Sequence, residues 1–245
     1  MSDPYIERSL VRASDCDLHG RLRMDAFFSL MQECAEHHSD LHGLSHDVLL
    51  DRGYFFALAR IHVLFHKKVS FNQQIVLTTW TGRANRFFCP RYHSLCLEDG
   101  TLLAQSAALW VILDVHSRKL TSPLLLDLPF PDLSSLPDSA SLPTHLPVRL
   151  PESAIQSKYT PKYSDYDLNG HVNNAHYITW LLDSLPKSVL EQSYIHELTA
   201  GYEREIRDEQ NIGLFLHQEH SRFSFGVTSE AGKHFIAEGI LKEGL

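Results

Sequence analysis

The chain repeats itself. Residues 14–20, Ser14-Asp-Cys-Asp-Leu-His-Gly20, return as Ser164-Asp-Tyr-Asp-Leu-Asn-Gly170, identical at five of seven positions and offset by 150. A weaker match follows in the same order, IHVLFHKKVSFNQQIVL from Ile61 against LTAGYEREIRDEQNIGL from Leu198, offset by 137. Two ordered matches point to a duplicated domain, so each copy must form a unit of the same plan. Between the copies, residues 121–151 hold seven of the eleven prolines: Pro123, Pro129, Pro131, Pro137, Pro143, Pro147 and Pro151. Proline lacks a backbone N–H and restricts the residue before it, so this stretch reads as an extended connector rather than a helix or central strand. The division that follows is a first module over 1–120, a connector over 121–151 and a second module over 152–245.

Both modules carry the same pattern, a short strand and turn, one helix, then several antiparallel strands. In the first, Met24, Phe27, Phe28, Met31, Cys34, Ala35 and His38 recur at helical spacing and form one apolar stripe. Residues 75–80, 92–97 and 102–113 favour strands, with Asp99-Gly100 as a hairpin turn. In the second, Tyr177, Trp180, Leu181 and Leu185 mark the helix, and residues 215–216, 223–228 and 234–241 the strands. One helix per sheet predicts an α+β class in which each module is a helix wrapped by a curved antiparallel sheet.

Charge excludes some functions and divides the halves. The chain of 245 residues has a net charge of −8, which argues against a general nucleic-acid binder because phosphate contacts need a basic surface. No run of 18 apolar residues provides a membrane span, and the first residues lack the apolar core of a secretory signal, so the expected location is cytoplasmic. Residues 1–125 carry 13 basic and 13 acidic side chains, while residues 126–245 carry 9 and 17 and hold the whole excess. The four cysteines, Cys16, Cys34, Cys89 and Cys96, all lie in the first 100 residues without a CxxC pair, which suits reduced thiols.

The densest chemistry lies at Asp165-Tyr-Asp-Leu-Asn-Gly-His-Val-Asn-Asn174, with two carboxylates, three amides and an imidazole at a strand-to-helix turn. Such residues also build turns and cap helices. The first copy bears on that choice: it keeps Asp15, Asp17, Leu18 and Gly20 but has His19 in place of Asn169 and Arg21 in place of His171. A duplicated enzyme with one active copy would show such a split. Asp165, Asp167, Asn169 and Gly170 also fit the opening of a calcium loop, but His176 would stand where a bidentate carboxylate is required. Cys34, His37, His38, His42 and His46 have metal-like spacing without an evident fourth ligand, and read better as core and helix-end histidines. No metal and no cofactor is expected.

The segment Asp167-x-Asn169-x-His171-Val172-Asn173-Asn174-x-x-Tyr177 resembles the active-site motif of the acyl-acyl carrier protein thioesterases, a double-hotdog family. The resemblance extends over almost the whole chain, through residues 12–20, Thr79-Trp-Thr-Gly82 with Arg86-Phe-Phe88, Asp99-Gly100, Trp110-Val-Ile-Leu-Asp114 with Ser117-Arg-Lys119, and Tyr202-Glu-Arg-Glu205. It implies a tandem hotdog fold, catalytic Asp167, Asn169 and His171, and an acidic residue on a following strand that matches Glu205. It also implies that the first module holds the acyl chain, with Met24, Phe27, Phe28 and Met31 as expected pocket wall. Some plant members were assigned a cysteine nucleophile just after that acid. This chain has Ile206 there and no cysteine beyond Cys96.

Thioester hydrolysis needs an activated water, donors for the oxyanion and a proton for the thiolate. Glu205 or Asp167 would act on the water, His171 would share the proton path, and Asn169 would orient water or carbonyl, with amides near 172–174 facing the developing charge. The expected partner is an acyl carrier protein with its phosphopantetheine-linked acyl chain; a homodimer is compatible with the sequence. No Asp or Glu occurs from 52 to 97, and Arg83, Arg86, Arg91, Arg118 and Lys119 form the expected docking set for that acidic partner. Two other functions fit the same residues: an acyl-coenzyme A thioesterase, and a non-catalytic acyl-binding protein.

Overall fold

The computed structural model describes residues 3–146 and 150–244. They form two units. One comprises the chain up to Arg23 together with Ser29–Pro143; the other comprises Met24–Phe28 and the chain from Thr144 onward.

In the first unit, strands β1 (Tyr5–Leu10), β2 (Tyr54–Phe65), β3 (Gln74–Thr81), β4 (Cys89–Cys96) and β5 (Leu102–Asp114) form an antiparallel sheet in the order β1-β3-β4-β5-β2, with the short β6 (Leu120–Thr121) on β5. Helix α1 (Met24–Leu41) carries the apolar stripe read from the sequence, and all seven of its residues are buried. Its contact with the sheet includes Ser106 Oγ donating to Met31 Sδ at 3.0 Å. A short α2 (His46–Asp51) leads into β2, where register shifts between Leu58 and Arg60; such a bulge sharpens local twist.

The proline-rich connector is fastened to this unit. The Leu133 amide donates to the Thr81 carbonyl at 3.0 Å, Thr81 Oγ1 to the Pro131 carbonyl at 2.6 Å, and Ser139 Oγ to the Ser106 carbonyl at 2.6 Å. Leu133 and Ala140 complete a core cluster with Trp80, Tyr92 and Ala107. Burying a leucine of this kind is worth roughly 1.5–3 kcal/mol, enough to hold a segment with few backbone donors. Pro147 lies outside the described residues.

The second unit repeats the plan. Strands β7 (Ile155–Tyr159), β8 (Ser193–Tyr202), β9 (Ile212–Glu219), β10 (Arg222–Ser229) and β11 (Gly232–Glu243) pair in the order β8-β11-β10-β9-β7, antiparallel throughout. Each strand occupies the place of its first-unit counterpart. Helix α3 (Asn174–Ser184) is shorter than α1 and starts at an Asn173 cap whose side chain accepts the Ala175 amide at 2.8 Å. Tyr177, Trp180 and Leu181 bury its inner face, with the Tyr177 ring stacked on Phe235 at 5.1 Å and edge-on to Tyr202 at 5.6 Å. The short α4 (Lys187–Gln192) precedes β8. Thr179 Oγ1 donates to Asp25 Oδ2 at 2.9 Å, one tie that joins the first turn of α1 to this unit. Each unit is a hotdog: one principal helix against a curved antiparallel sheet.

Candidate active site

The turn at 165–173 is built by backbone geometry that its sequence dictates. Asp167 caps it, its Oδ1 accepting the amides of Asn169 at 2.8 Å and His171 at 3.2 Å. The Gly170 amide donates to the Asp167 carbonyl at 3.0 Å, and the Asp167 amide to the His171 carbonyl at 2.8 Å. Gly170 closes the loop at φ +69°, a left-handed conformation that costs glycine little. These bonds leave Asn169 exposed at the tip and His171 half-buried beside it.

Glu205 reaches the turn from the loop after β8. Its Oε2 lies 3.5 Å from His171 Nε2 and accepts Arg207 Nε at 3.2 Å and Nη2 at 2.9 Å. The loop is tied to the turn by the Val172 amide on the Ile206 carbonyl at 2.9 Å. From the other side it is held by His234, whose Nδ1 lies 3.1 Å from the Arg204 carbonyl and whose Nε2 lies 2.7 Å from Ser229 Oγ. Burial lowers the His234 pKa, so it serves as a neutral clamp. Tyr177 is buried nearby; desolvation, reinforced by the negative charge of Glu205, pushes its phenol up and keeps it protonated.

The structure thus brings His171 and Glu205 together, ties Asp167 to the backbone of the same turn, and leaves Asn169 exposed. Arg207, His234 and Ser229 were not found by sequence reasoning. Arg207 lies two residues beyond Glu205 and could have been suspected; no local pattern marks His234 or Ser229. Asp165 is separate, its Oδ2 accepting the Tyr159 hydroxyl at 2.9 Å and the Lys162 amide at 2.6 Å, while Oδ1 meets His176 Nδ1 at 2.9 Å. Among the described residues no group of three or more His, Cys, Asp and Glu is arranged to hold a metal.

One expectation about the helix start is corrected. The Val172 amide is used on Ile206, the Asn173 amide on the Asp165 carbonyl at 2.8 Å, and the Ala175 amide on the Asn173 cap. Amides that already have acceptors cannot form an oxyanion hole at residues 172–173 without breaking the turn.

The residues of the first sequence module sort differently. Met24, Phe27, Phe28 and Met31 are 4, 0, 1 and 2% exposed; these are core residues. A cavity of the first unit is walled instead by Gln32, Ala35, Glu36 and Ser39 of the same helix, with residues of β2 to β5 and the connector. Of the expected docking cations, Arg83, Arg86, Arg118 and Lys119 are exposed. Arg86 stacks on Phe87 at 5.2 Å and Arg118 on Phe55 at 4.6 Å. Arg91 does not belong with them. It points inward from β4, is 8% exposed, and donates to His38, Thr79 and Ser39, so it cannot meet a docking partner as expected.

Comparison with known proteins places this geometry in a family. The acyl-ACP thioesterase N-terminal domain matches residues 3–124 and the C-terminal domain residues 149–238. The chain is 28% identical over 198 residues to an acyl-[acyl-carrier-protein] hydrolase, FATB2, of Cuphea viscosissima, a match covering 73% of this chain and 46% of that one. It is 24% identical over 227 residues to oleoyl-acyl carrier protein thioesterase 2 of Arabidopsis thaliana, covering 85% and 61%. The matches span about half to three-fifths of the length of these curated plant relatives, both of which are chloroplastic. The fold is shared with a putative oleoyl thioesterase from Lactobacillus plantarum, at TM-score 0.87 and 21% identity over 99% of this chain and 97% of that one. It is shared as well with the 12:0-ACP thioesterase of Umbellularia californica, at TM-score 0.84 and 18% identity over 98% of both. With both domains matched in order around a turn built on Asp167, Asn169 and His171, the chain belongs to the acyl-ACP thioesterase family.

Proposed function

We propose that the protein hydrolyses the thioester of an acyl chain carried on acyl carrier protein, releasing a free fatty acid, and that Glu205, His171, Asn169 and Asp167 carry the reaction. The supporting observation is the 3.5 Å approach of His171 Nε2 to Glu205 Oε2 on the turn of the second unit, where the matching positions of the first copy are Arg21 and Lys68.

In this reading Glu205 takes a proton from a water as the water oxygen bonds to the thioester carbonyl carbon. Asp167 is the less suitable base because its Oδ1 already accepts two amides. The exposed Asn169 amide donates to the carbonyl oxygen as it becomes an oxyanion. Collapse of the tetrahedral adduct breaks the carbon–sulfur bond, and the proton held by Glu205 passes through His171 to the departing thiolate. No cysteine is involved. Cys34 and Cys89 belong to the first unit, and burial raises both thiols to about 12, far from a thiolate at neutral pH.

The partner is proposed to dock on the exposed cations Arg83, Arg86, Arg118 and Lys119. Docking predicts that turnover of a carrier-bound substrate falls with salt more steeply than turnover of a small thioester. Hydrolysis of one acyl group on acyl carrier protein and on coenzyme A, by wild type and by folded Glu205→Gln, His171→Ala and Asn169→Ala proteins, tests the whole reading. Near-normal turnover in all three variants removes the site assignment. Preference for the coenzyme A substrate replaces the carrier, and chain binding without turnover in wild type makes the protein an acyl binder.

A further inference from the structure

One polar centre of the second unit has no part in the proposed hydrolysis. Asp165 is 4% exposed, and a carboxylate so buried has to be paired. Its Oδ2 accepts the Lys162 amide at 2.6 Å and the Tyr159 hydroxyl at 2.9 Å, and its Oδ1 lies 2.9 Å from His176 Nδ1. A carboxylate only accepts, so that ring nitrogen is the donor. One side chain thereby fastens the end of β7 to the first turn of α3.

The same residue stands at the mouth of the turn that carries Asp167, Asn169 and His171. The chain leaves through Tyr166 and returns at Val172, two residues joined by an isolated bridge, and the Asn173 amide closes on the Asp165 carbonyl at 2.8 Å. Beyond the mouth little packing holds the turn: Leu168 is 99% exposed, and Asn169 and Gly170 are exposed beside it. Bonds at its base therefore orient it, and the His176 bond is the one that ties that base to a side chain of the helix.

The first copy supplies the contrast. It keeps the bridge, between Cys16 and Leu22, and the amide bond, from Arg23 to the Asp15 carbonyl at 2.9 Å. At the position of His176 it has Ala26, which offers no side-chain donor, and its Asp15 is exposed. There Arg23 Nη1 reaches the Ser14 and Cys16 carbonyls at 2.9 and 3.0 Å instead. The bond from helix to aspartate thus belongs to the copy that has His171 and Glu205, and the copy that has Arg21 and Lys68 cannot make it.

We infer that His176 is a positioning residue for the reaction: through Asp165 it fixes the turn on α3 so that His171 meets Glu205 at 3.5 Å. This role rests on the hydrolysis proposed above. Displacing a reacting group by ~1 Å costs on the order of 10²-fold in rate, so a loosened base should lower kcat and leave KM, which depends on contacts to carrier and chain, nearly unchanged.

Steady-state hydrolysis of dodecanoyl-acyl carrier protein by the full chain tests this. His176→Leu, which keeps bulk and removes the donor, should lower kcat by about 10–10²-fold with KM within about twofold of wild type. His176→Asn, whose amide nitrogen is placed as Nδ1 is, should restore kcat to within a few-fold. Tyr159→Phe removes a different donor from the same carboxylate, so it should lower stability in urea as His176→Leu does yet keep kcat near wild type. Where His176→Leu does not fold, the double variant Asp165→Asn/His176→Leu, which buries no unpaired charge, takes its place with the same expected loss. Unchanged kcat in His176→Leu while Glu205→Gln loses turnover overturns the positioning role alone. Equal kcat losses in Tyr159→Phe and His176→Leu, or no rescue by asparagine, reduce His176 to a stabiliser of Asp165 and overturn it too. Near-normal turnover in Glu205→Gln, or none in wild type, refutes the hydrolytic reading, and the positioning role falls with it.

Discussion

The turn at Asp17 and the turn at Asp167 have nearly the same backbone and opposite chemistry. In the first, Asp17 Oδ1 accepts the amides of His19 at 2.8 Å and Arg21 at 2.9 Å, and the Gly20 amide closes on the Asp17 carbonyl at 3.0 Å. The second turn repeats each bond, and its glycine lies at φ +69° against +68°. The ties to the following loop also match. Leu22 donates to the Val69 carbonyl at 2.8 Å where Val172 donates to Ile206 at 2.9 Å, pairs separated by the two offsets seen in the sequence. What differs is what stands on this scaffold. Arg21 Nε turns back to Asp17 Oδ2 at 2.7 Å, and Lys68 occupies the position of Glu205. The Asp17 carboxyl is pulled below its ordinary value, because burial pushes it up less than its hydrogen bonds from Arg21 and His19 pull it down. A cation locked to the turn aspartate replaces an imidazole facing a carboxylate. Turn geometry and the side chains it presents are therefore separable within one molecule.

Substitutions at matching positions should break that symmetry most. Glu205→Gln and His171→Ala are expected to lower turnover by about 10²–10⁴-fold, the usual contribution of acid–base groups, whereas Lys68→Ala and His19→Ala should leave it within about twofold of wild type. Steady-state hydrolysis of an acyl-carrier substrate measures both, with circular dichroism to confirm folding. Equal losses at the two turns would show that the residues act through the fold.

The aspartates should reverse the order when stability is measured. Asp17→Ala and Asp167→Ala each leave two amides without an acceptor, a loss of ~1–3 kcal/mol. Asp17→Ala also removes the 2.7 Å ion pair of the buried Arg21, so denaturant unfolding should show the larger loss in the first copy. Activity should fall only with Asp167→Ala. A larger stability loss at Asp167 would mean that the second turn carries a structural load that its hydrogen bonds do not reveal.

This division explains how much the sequence disclosed. The repeat survived as Asp, Gly and spacing because the turn needs a carboxylate cap and a left-handed residue in both copies, so the scaffold and the two-unit plan were legible. Glu205 was reachable only by resemblance, since its approach to His171 depends on loop placement after β8. Arg91 shows the limit in the other direction. Charge composition put it in a basic run, but alternation along β4 turns it inward, and composition carries no direction. The amides at 172–173 depart from the expectation for a related reason: a helix start exposes donors in general, but here the acceptors, Ile206 and Asp165, come from the loop and the turn itself.

Acid should separate the units on a gentler scale. Burial lowers His93 to about 3 and His38 to about 4 in the first unit, and lowers His234 in the second. Because these folded pKa values lie below the unfolded value near 6.5, stability is fully present above that pH. It falls as the unfolded chain takes up protons that the folded chain refuses, until the folded values are reached. The cost approaches about 1.4 kcal/mol per pH unit for each histidine. With two such groups against one, the first unit should lose amide-exchange protection before the second between pH 6.5 and 4.5. Simultaneous loss would join the units into one cooperative block.

The smallest expected effect bears most directly on the shared backbone. Gly20→Ala and Gly170→Ala both place a side chain at positive φ, a strain of ~1–2 kcal/mol. A methyl at Gly20 would approach Phe71 Cβ at an ordinary 3.7 Å, and one at Gly170 would meet nothing within 4 Å. Since neither site clashes, the two losses should agree within about 0.5 kcal/mol, the margin for independent sites, and asparagine, which tolerates this conformation, should recover part of each. Paired chemical unfolding curves measure the difference. Agreement would show that the copies have kept one backbone while their side chains diverged; a markedly larger loss at Gly170 would mean that the second turn is strained by the residues it presents, tying its geometry to its chemistry after all.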